Sequence, residues 1–340
     1  MPVKRQRGGS VWLGWFLCAT MERFADLTRH YQADADPSPW RERAQALRAQ
    51  IDAVAWDGGW YQRAFHDDGS LLGAAKNREC RIDSIAQSWS VLSQAADINH
   101  TDRAHQAVAA AEQLLVREAD RLVLLLWPPF DTTIHDPGYI RGYPRGIREN
   151  GGQYTHAAAW LGLAHVGLND GASAERIFRL LNPVLRTGTA ADIARYRVEP
   201  YVVAADIYSC APWEGRGGWT WYTGSAAWIW RLGVEGILGL QTRGGKLQID
   251  PCIPPTWPGF EMWVRVGAQR LHIVVENPQR VSRGVAMLSI NGRRMPANSI
   301  DVRELDAQHV GDHEVVVQLG AVLLPQPLLP LSIKSSLLAT

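Results

Sequence analysis

Cysteine is scarce in this 340-residue chain, and the four present, Cys18, Cys80, Cys210 and Cys252, are widely spaced with no Cys-x-x-Cys pair. That excludes a zinc ribbon and a disulfide framework and leaves reduced thiols as the expectation, which fits a cytoplasmic protein. Charge of one sign is also missing: 35 Lys and Arg face 34 Asp and Glu, for a net charge of +1. No basic stripe remains to bind nucleic acid. Long apolar runs are absent as well, since nothing reaches the ~20 residues of a membrane span. The nearest approach, Val11 to Ala19 behind Lys4-Arg5-Gln6-Arg7, imitates a signal peptide. Gly14 interrupts it, no small-x-small cleavage site follows, and Glu22-Arg23-Phe24 carries the helical period onward. Nucleophile elbow, Walker phosphate loop, paired-His metal site and dinucleotide fingerprint are all lacking. No metal and no organic cofactor are therefore predicted.

Tryptophan is abundant instead, with 15 Trp against 9 Tyr and 6 Phe. Residues 196–228 concentrate four Trp, four Tyr and two Arg around a Gly-rich turn. Any single Trp can be a gap filler between helices. The cluster points further, because pyranose rings offer flat C–H faces to aromatic rings while their hydroxyls need charged and amide partners at the rim.

Helical periodicity dominates from about residue 10 to residue 238. It predicts helices over Trp12 to Thr28, Trp40 to Val54 (Ser38 as cap, Pro39 in the first turn), Cys80 to Ala96, Thr101 to Leu124, Gln153 to Val166, Ala172 to Leu181 and Gly224 to Val234. Long loops at 55–79, 127–152 and 196–222 separate them. Helix pairs joined by alternately short and long loops suit a helical barrel whose long loops build a site at one end. A solenoid is the alternative, but no fixed repeat period supports it. After Gly239 the period becomes two, over Lys246 to Asp250, Phe260 to Val266, Arg270 to Asn277, Val285 to Ile290 and His313 to Leu319, with a hairpin signal at Asn291-Gly292. A small antiparallel β domain is expected. Four segments result: a leader at 1–8, part of an (α/α)₆-type barrel at 9–238, a β-sandwich domain at 239–322 and a tail at 323–340.

Three constellations bear on chemistry. In Arg148-Glu149-Asn150-Gly151-Gly152-Gln153-Tyr154-Thr155-His156, a Gly-Gly turn enters a helix with Gln153 and His156 three apart. A core histidine is the plain alternative for His156. In Trp221-Tyr222-Thr223-Gly224-Ser225, Thr223 is expected to cap a helix whose first amides suit an anion such as phosphate, although caps without ligands are commoner. From Asp57 to Asp83 and on to Trp89, Arg81, Asp83 and Gln87 are spaced to reach sugar hydroxyls, while Asp67-Asp68-Gly69 reads as a β-turn.

The runs Trp56 to Ala64, Glu79 to Leu92, Glu149 to His156, Glu199 to Trp228 and Ile249 to Pro254 resemble the family-94 glycoside phosphorylases. Within them they look most like the phosphorylase-like C-terminal module of cyclic β-1,2-glucan synthases and the 1,2-β-oligoglucan phosphorylases. The resemblance covers about residues 9 to 320. It implies an (α/α)₆ barrel followed by a β-sandwich-like domain, and inverting phosphorolysis of β-glucosides to α-glucose 1-phosphate. Inorganic phosphate is then the co-substrate and a β-glucan oligosaccharide or glucose 1-phosphate the partner, with no membrane span and no nucleic acid. By resemblance His156, Thr223 and Gly224 fall on phosphate-binding positions and Glu149 on a sugar-binding one. Arg81, Gln87, Tyr154 and Trp221 are sugar-binding candidates by neighbourhood.

One departure stands out. The family's general acid is the Asp of a Gly-Asp-Trp-Asn-Asp motif shortly before the segment that starts here at Gly9, and Met1 to Gly8 contain no carboxylate. The resemblance thus implies a C-terminal fragment with no catalytic residue of its own, inactive alone, whose N-terminal half is encoded upstream. A non-catalytic carbohydrate-binding or scaffold protein is the alternative. A hydrolase or lyase of another helical-barrel family would need facing carboxylates, for which Asp83, Glu149 and Asp206 are the candidates. Linkage and length of the glucan stay open.

Overall fold

The computed structural model describes residues 8–32, 34–93, 101–133, 136–221, 224–296, 298–301, 303 and 311–321. The chain divides into two units, one of residues 1–164 and 176–229, the other of 165–175 and 230–340. Thr223, a predicted phosphate ligand, lies outside the described residues together with Tyr222. The expected leader and tail do too, apart from Gly8. Among the described residues no helix is long and apolar enough to cross a membrane.

In the first unit, helix α1 spans Val11–Tyr31 and α2 spans Ser38–Ala55. They approach closely because residue 14 is glycine: a Cβ there would sit 2.7 Å from Cδ1 of Ile51. Phe24 meets Trp40 edge-on at 4.8 Å, and the Cys18 thiol donates to the Ala44 carbonyl at 3.6 Å. The start of α2 differs from expectation. Ser38 is the first helical residue, Pro37 precedes it, and the Asp36 carboxylate accepts the Ser38 N–H at 2.9 Å. An Asp two residues ahead of a Pro-containing first turn does the capping that was predicted for the serine.

Helix α1 is apolar on two sides. Val11, Trp15, Cys18 and Ala25 are buried, whereas Leu13, Leu17, Phe24, Leu27 and Tyr31 share the opposite face and are exposed by 43% (Phe24) to 77% (Tyr31). Spacings of four, seven, three and four place these five within about 40° of one line along the helix. All five keep 43% or more of their surface exposed, although Phe24 also meets Trp40.

Helix α3, Ser84–Leu92, begins four residues later than predicted because Asp83 is its N-cap: the carboxylate accepts from Ile85 N–H at 2.9 Å and Ala86 N–H at 3.4 Å. Helix α4, Thr101–Leu115, ends nine residues early. Val116–Arg117 and Leu122–Val123 pair as a tight hairpin instead, with Arg121 left-handed at φ 54°. The apolar stretch Leu122 to Leu126 is fully buried, and continuous apolar character does not tell strand from helix. Helices α5 (Thr155–Gly167), α6 (Gly171–Leu181), α7 (Ala190–Tyr196) and α8 (Ser225–Trp230) follow, the last running into a wider turn over Arg231–Ile237. The sequence pattern missed α7, a seven-residue helix too short to show a period.

The second unit carries two sheets. Leu240–Arg243, Lys246–Ile249 and Ser299–Asp301 form one, all antiparallel. The other has five strands in the order Gly259–Val266, Gln269–Glu276, Asp312–Leu319, Val285–Ile290, Arg293–Arg294. Leu271, Ile273, Val275, Val315, Val317 and Leu319 fill one buried face. The expectation of a wholly antiparallel domain is corrected here, because Gln269–Glu276 and Asp312–Leu319 run parallel. Alternation specifies a strand and its buried face but not the direction of the neighbour. On the outer face Trp263 stacks on His272 at 4.3 Å while the Arg270 guanidinium lies over its ring at 4.3 Å. The predicted turn is present, with Asn291 at φ 48° and Gly292 at φ 78° joining Ile290 to Arg293.

Candidate active site

A small ladder in the first unit carries Tyr154 and joins the chain segments on either side of it. Gln153–Tyr154 pairs with Asp206–Ile207, which sets Tyr154 opposite Asp206, and Ile207 bridges to Gly217. Ala205 N–H donates to the Trp219 carbonyl at 2.7 Å and Gly218 N–H to the Asp206 carbonyl at 2.8 Å. Segments 148–156, 205–207 and 217–221 are thereby fixed side by side.

The loop before Tyr154 is rigid for reasons that can be named. Gly146 is left-handed, φ 78°, and a Cβ there would lie 2.7 Å from Cβ of Cys210. Asn150 is buried and spends its amide on the loop, accepting Phe130 N–H at 2.7 Å and donating to the carbonyls of Phe130 (3.0 Å) and Tyr143 (2.8 Å). Ser209 Oγ donates to the Gly151 carbonyl at 2.7 Å. Between these anchors Arg148 is held at φ 48°, a conformation costly for a residue with a Cβ. Its guanidinium lies 5.5 Å from the ring centroids of both Tyr143 and Trp219. Burial works against its charge, but the hydrogen bond to Tyr143 and the carboxylates of Asp206 and Glu149 raise its pKa above the usual arginine value.

Glu149 accepts from the Tyr139 hydroxyl at 3.4 Å through Oε1, while Oε2 is buried with no partner among the described residues. Burial and the Glu149 charge push the phenols of Tyr139 and Tyr154 upward. Asp206 is only 2% exposed. Oδ1 accepts Trp219 N–H at 3.1 Å and Oδ2 is unpartnered among the described residues. Burial raises its pKa, against the lowering effect of the Trp219 amide and Arg148. Gly218 lets this carboxyl approach: a Cβ would fall 2.5 Å from both of its oxygens.

His156 sits in the first turn of α5 among aromatic rings. Tyr154 is parallel to it at 6.4 Å, Trp160 edge-on at 4.4 Å and Trp228 at 5.2 Å. Burial pushes the imidazole down to about 4, and Nε2 is buried with no partner among the described residues. A neutral imidazole with an open nitrogen and a carboxylate with an open oxygen therefore occur on one short segment. Such atoms are expensive to bury without a ligand. Gly224 lies just before α8, the helix that carries Trp228, and a Cβ there would meet nothing within 4 Å.

Two predicted sugar ligands hydrogen-bond to backbone carbonyls. Gln87 is fully buried and spends its amide on backbone, with Nε2 donating to Tyr61 O (2.7 Å) and Asp83 O (2.9 Å) and Oε1 accepting Tyr61 N–H (2.8 Å). Both of its donor hydrogens are used, so it pins the 55–63 loop to α3. Arg81 donates through Nε to Ala75 O at 3.1 Å, and among the described residues no hydrogen bond, ion pair or ring contact joins it to His156 or Glu149. Asp83 is an ion-paired cap, bonded to Arg63. Gln153 was predicted to share a helix face with His156. It lies instead in the ladder, accepting Val123 N–H at 3.0 Å. The residues sequence reasoning passed over are Arg148, Tyr139 and Tyr143. A cation between aromatic residues beside Glu149 was the available signal. Trp221 is 67% exposed, and its Nε1–H donates to Glu199 Oε1 at 2.8 Å. Among the described residues no group of three His, Cys, Asp or Glu side chains could hold a metal.

The description "Glycosyl hydrolase 94 superfamily, catalytic domain" matches residues 3–239, and "Glycosyl hydrolase family 65, C-terminal domain" matches 240–282. The chain is 49% identical over 284 residues to cyclic beta-(1,2)-glucan synthase NdvB of Rhizobium meliloti (strain 1021), covering 84% of this chain and 10% of that protein. It is 32% identical over 304 residues to N,N'-diacetylchitobiose phosphorylase of Vibrio proteolyticus (88% and 36%). It is 28% identical over 323 residues to 3-O-beta-D-glucopyranosyl-beta-D-glucuronide phosphorylase of Paenibacillus borealis (94% and 40%). The chain thus spans a tenth of the first of these relatives and two-fifths or less of the other two.

Proposed function

The chain belongs to the glycosyl hydrolase 94 superfamily, and on that premise we propose that it is the sugar- and phosphate-binding part of an inverting β-1,2-glucan phosphorylase module. The observation that carries the reading is His156, neutral and open at a buried nitrogen, seven residues from a Glu149 whose own buried oxygen is open. A neutral Nε2–H donates to a phosphate oxygen without adding a charge that would hold the product. His156 and the Thr223-Gly224 turn are the proposed phosphate contacts, with Glu149, Tyr154 and Trp221 on the sugar side. Gln87 has both amide hydrogens committed to backbone, and Arg81 is kept as a proposed sugar contact.

In the proposed reaction a phosphate oxygen attacks the anomeric carbon from the face opposite the glycosidic bond. That bond breaks, its electron pair goes to the leaving oxygen, and a carboxylic acid supplies the proton. The products are α-glucose 1-phosphate and a glucan one unit shorter. Because phosphate is already anionic, no base is needed to activate it, in contrast to the water of an inverting hydrolase. Inorganic phosphate is the co-substrate and no organic cofactor is required.

We infer that the proton donor is none of Asp83, Glu149 and Asp206: Asp83 is committed to Arg63 and a helix cap, Asp206 is 2% exposed and accepts the Trp219 amide, and Glu149 is assigned to the sugar. We infer that an acid-bearing helical segment, contributed in the same polypeptide or by a second one, completes an α/α barrel by covering the α1 stripe. Five large apolar side chains on one exposed helix face support this. The relatives that are phosphorylases leave the scaffold alternative without an observation of its own. A cytoplasmic setting is consistent with four unpaired cysteines, of which Cys80 and Cys252 are pushed to about 12 by burial.

The test is phosphate release from α-glucose 1-phosphate with the β-1,2-linked disaccharide sophorose as acceptor. This chain is compared with a version extended upstream through a Gly-Asp-Trp-Asn-Asp motif. Turnover by the extended protein alone is expected, a difference of at least the ~10²–10⁴-fold that general acid catalysis contributes. Equal turnover by both would place the acid inside this chain and overturn that part of the reading.

A further inference from the structure

We propose that Trp221 and Tyr201, with Glu199 holding Trp221 in place, form a separate rim subsite that takes a glucose unit of the glucan beyond the pair joined by the scissile bond. This rests on the reading of the chain as a β-1,2-glucan phosphorylase module. Trp221 has φ 63°, a left-handed backbone that is a true outlier for so bulky a residue. Its indole is 67% exposed, yet its Nε1–H donates to Glu199 Oε1 at 2.8 Å. The ring is therefore both fixed and bare. Tyr201, also 67% exposed, stands edge-on to it at 6.2 Å and 74°, so the two rings make a corner. A gap-filling Trp would be buried, and one with no role would not be fixed by a charged hydrogen bond at a strained position.

Charge selects the occupant. The Glu199 carboxylate is held below the usual carboxylate range, first by the Trp221 N–H, so an anion such as phosphate or a nucleotide is repelled. A neutral ligand with flat C–H faces meets no such repulsion, and a pyranose has those faces. Because both rings of the corner are exposed whereas the His156 nitrogen is buried, its effect should depend on the length of the glucan.

Isothermal titration of the 340-residue chain with sophorose and with a β-1,2-linked glucopentaose tests this. The wild type is expected to bind the pentaose about tenfold more tightly, and Trp221→Ala to lose most of that preference, its pentaose affinity falling several-fold more than its sophorose affinity. Tyr201→Ala, at a position without backbone strain, is expected to lose part of the same preference, and it carries the test if Trp221→Ala fails to fold by circular dichroism. Full retention of the preference in both variants, or an equal loss for both sugars, overturns the subsite while leaving the phosphorylase reading intact. Binding of neither sugar by the wild type overturns the functional reading and the subsite with it.

Discussion

The imidazole of His156 is uncharged at neutral pH because its surroundings are rings, and that has a consequence for stability. Its pKa falls from 6.5 to about 4 on folding, so between those values the unfolded chain binds a proton that the native chain refuses. Its contribution is complete above pH 6.5 and is lost progressively as pH falls toward 4. We expect the His156→Gln protein to show a shallower decline of the urea midpoint between pH 7 and pH 5 than the wild type, and identical slopes would contradict the assignment. Gly218 is a second residue whose identity is dictated by one neighbour. Gly218→Ala places a methyl group against the Asp206 carboxyl and is expected to cost about 1–3 kcal/mol in urea denaturation, the usual range for overpacking. An unchanged midpoint would mean that the 217–221 segment yields. At this scale the sequence was read unevenly. His156 and Glu149 stand out in the sequence because their motif is contiguous, whereas Gln87, legible as a hydrogen-bonder, serves backbone because its helix turns it toward Tyr61.

At the level of elements, the Asn291-Gly292 turn illustrates a local signal that the tertiary structure reinforces. Both residues are left-handed, and the Asn291 side chain also accepts Glu314 N–H at 2.9 Å and meets His313 Nδ1 at 3.0 Å. Gly292→Ala is expected to cost about 1 kcal/mol from the backbone alone. Asn291→Ala loses two side-chain bonds besides, and about 2 kcal/mol is expected. Thermal or urea unfolding ranks them, and the reverse order would show that the turn governs and the contacts do not. Helix ends were harder to read. Helix α4 stops at Leu115 because the following apolar residues are buried as paired strands, and burial without alternation carries no period.

For the whole molecule, the unresolved tension lies on α1, which turns one apolar face to its neighbours and another to solvent. If the stripe receives the acid-bearing segment, Leu13→Glu with Leu17→Glu should lower the activity of the upstream-extended protein at least about tenfold while moving the stability of the 340-residue chain by no more than about 0.5 kcal/mol per site, as for other surface changes. Activity unaffected by both charges would remove the stripe from the assembly. The parallel pairing of Gln269–Glu276 with Asp312–Leu319 belongs to this scale too. Their partnership spans some forty residues of chain, and no local pattern specifies it.

What the sequence determined by itself is what short-range chemistry can encode: helices before strands, the hairpin turn, the contiguous Glu149-to-His156 motif and the family it resembles. Tertiary structure alone decided which polar groups are left open and which are consumed. Gln87 and Asp83 are satisfied by neighbours distant in sequence, while His156 Nε2, Glu149 Oε2 and Asp206 Oδ2 are buried without partners among the described residues. The reason is that hydrogen-bond capacity belongs to a residue type, but whether it is spent depends on which backbone and side-chain groups the fold brings within about 3 Å.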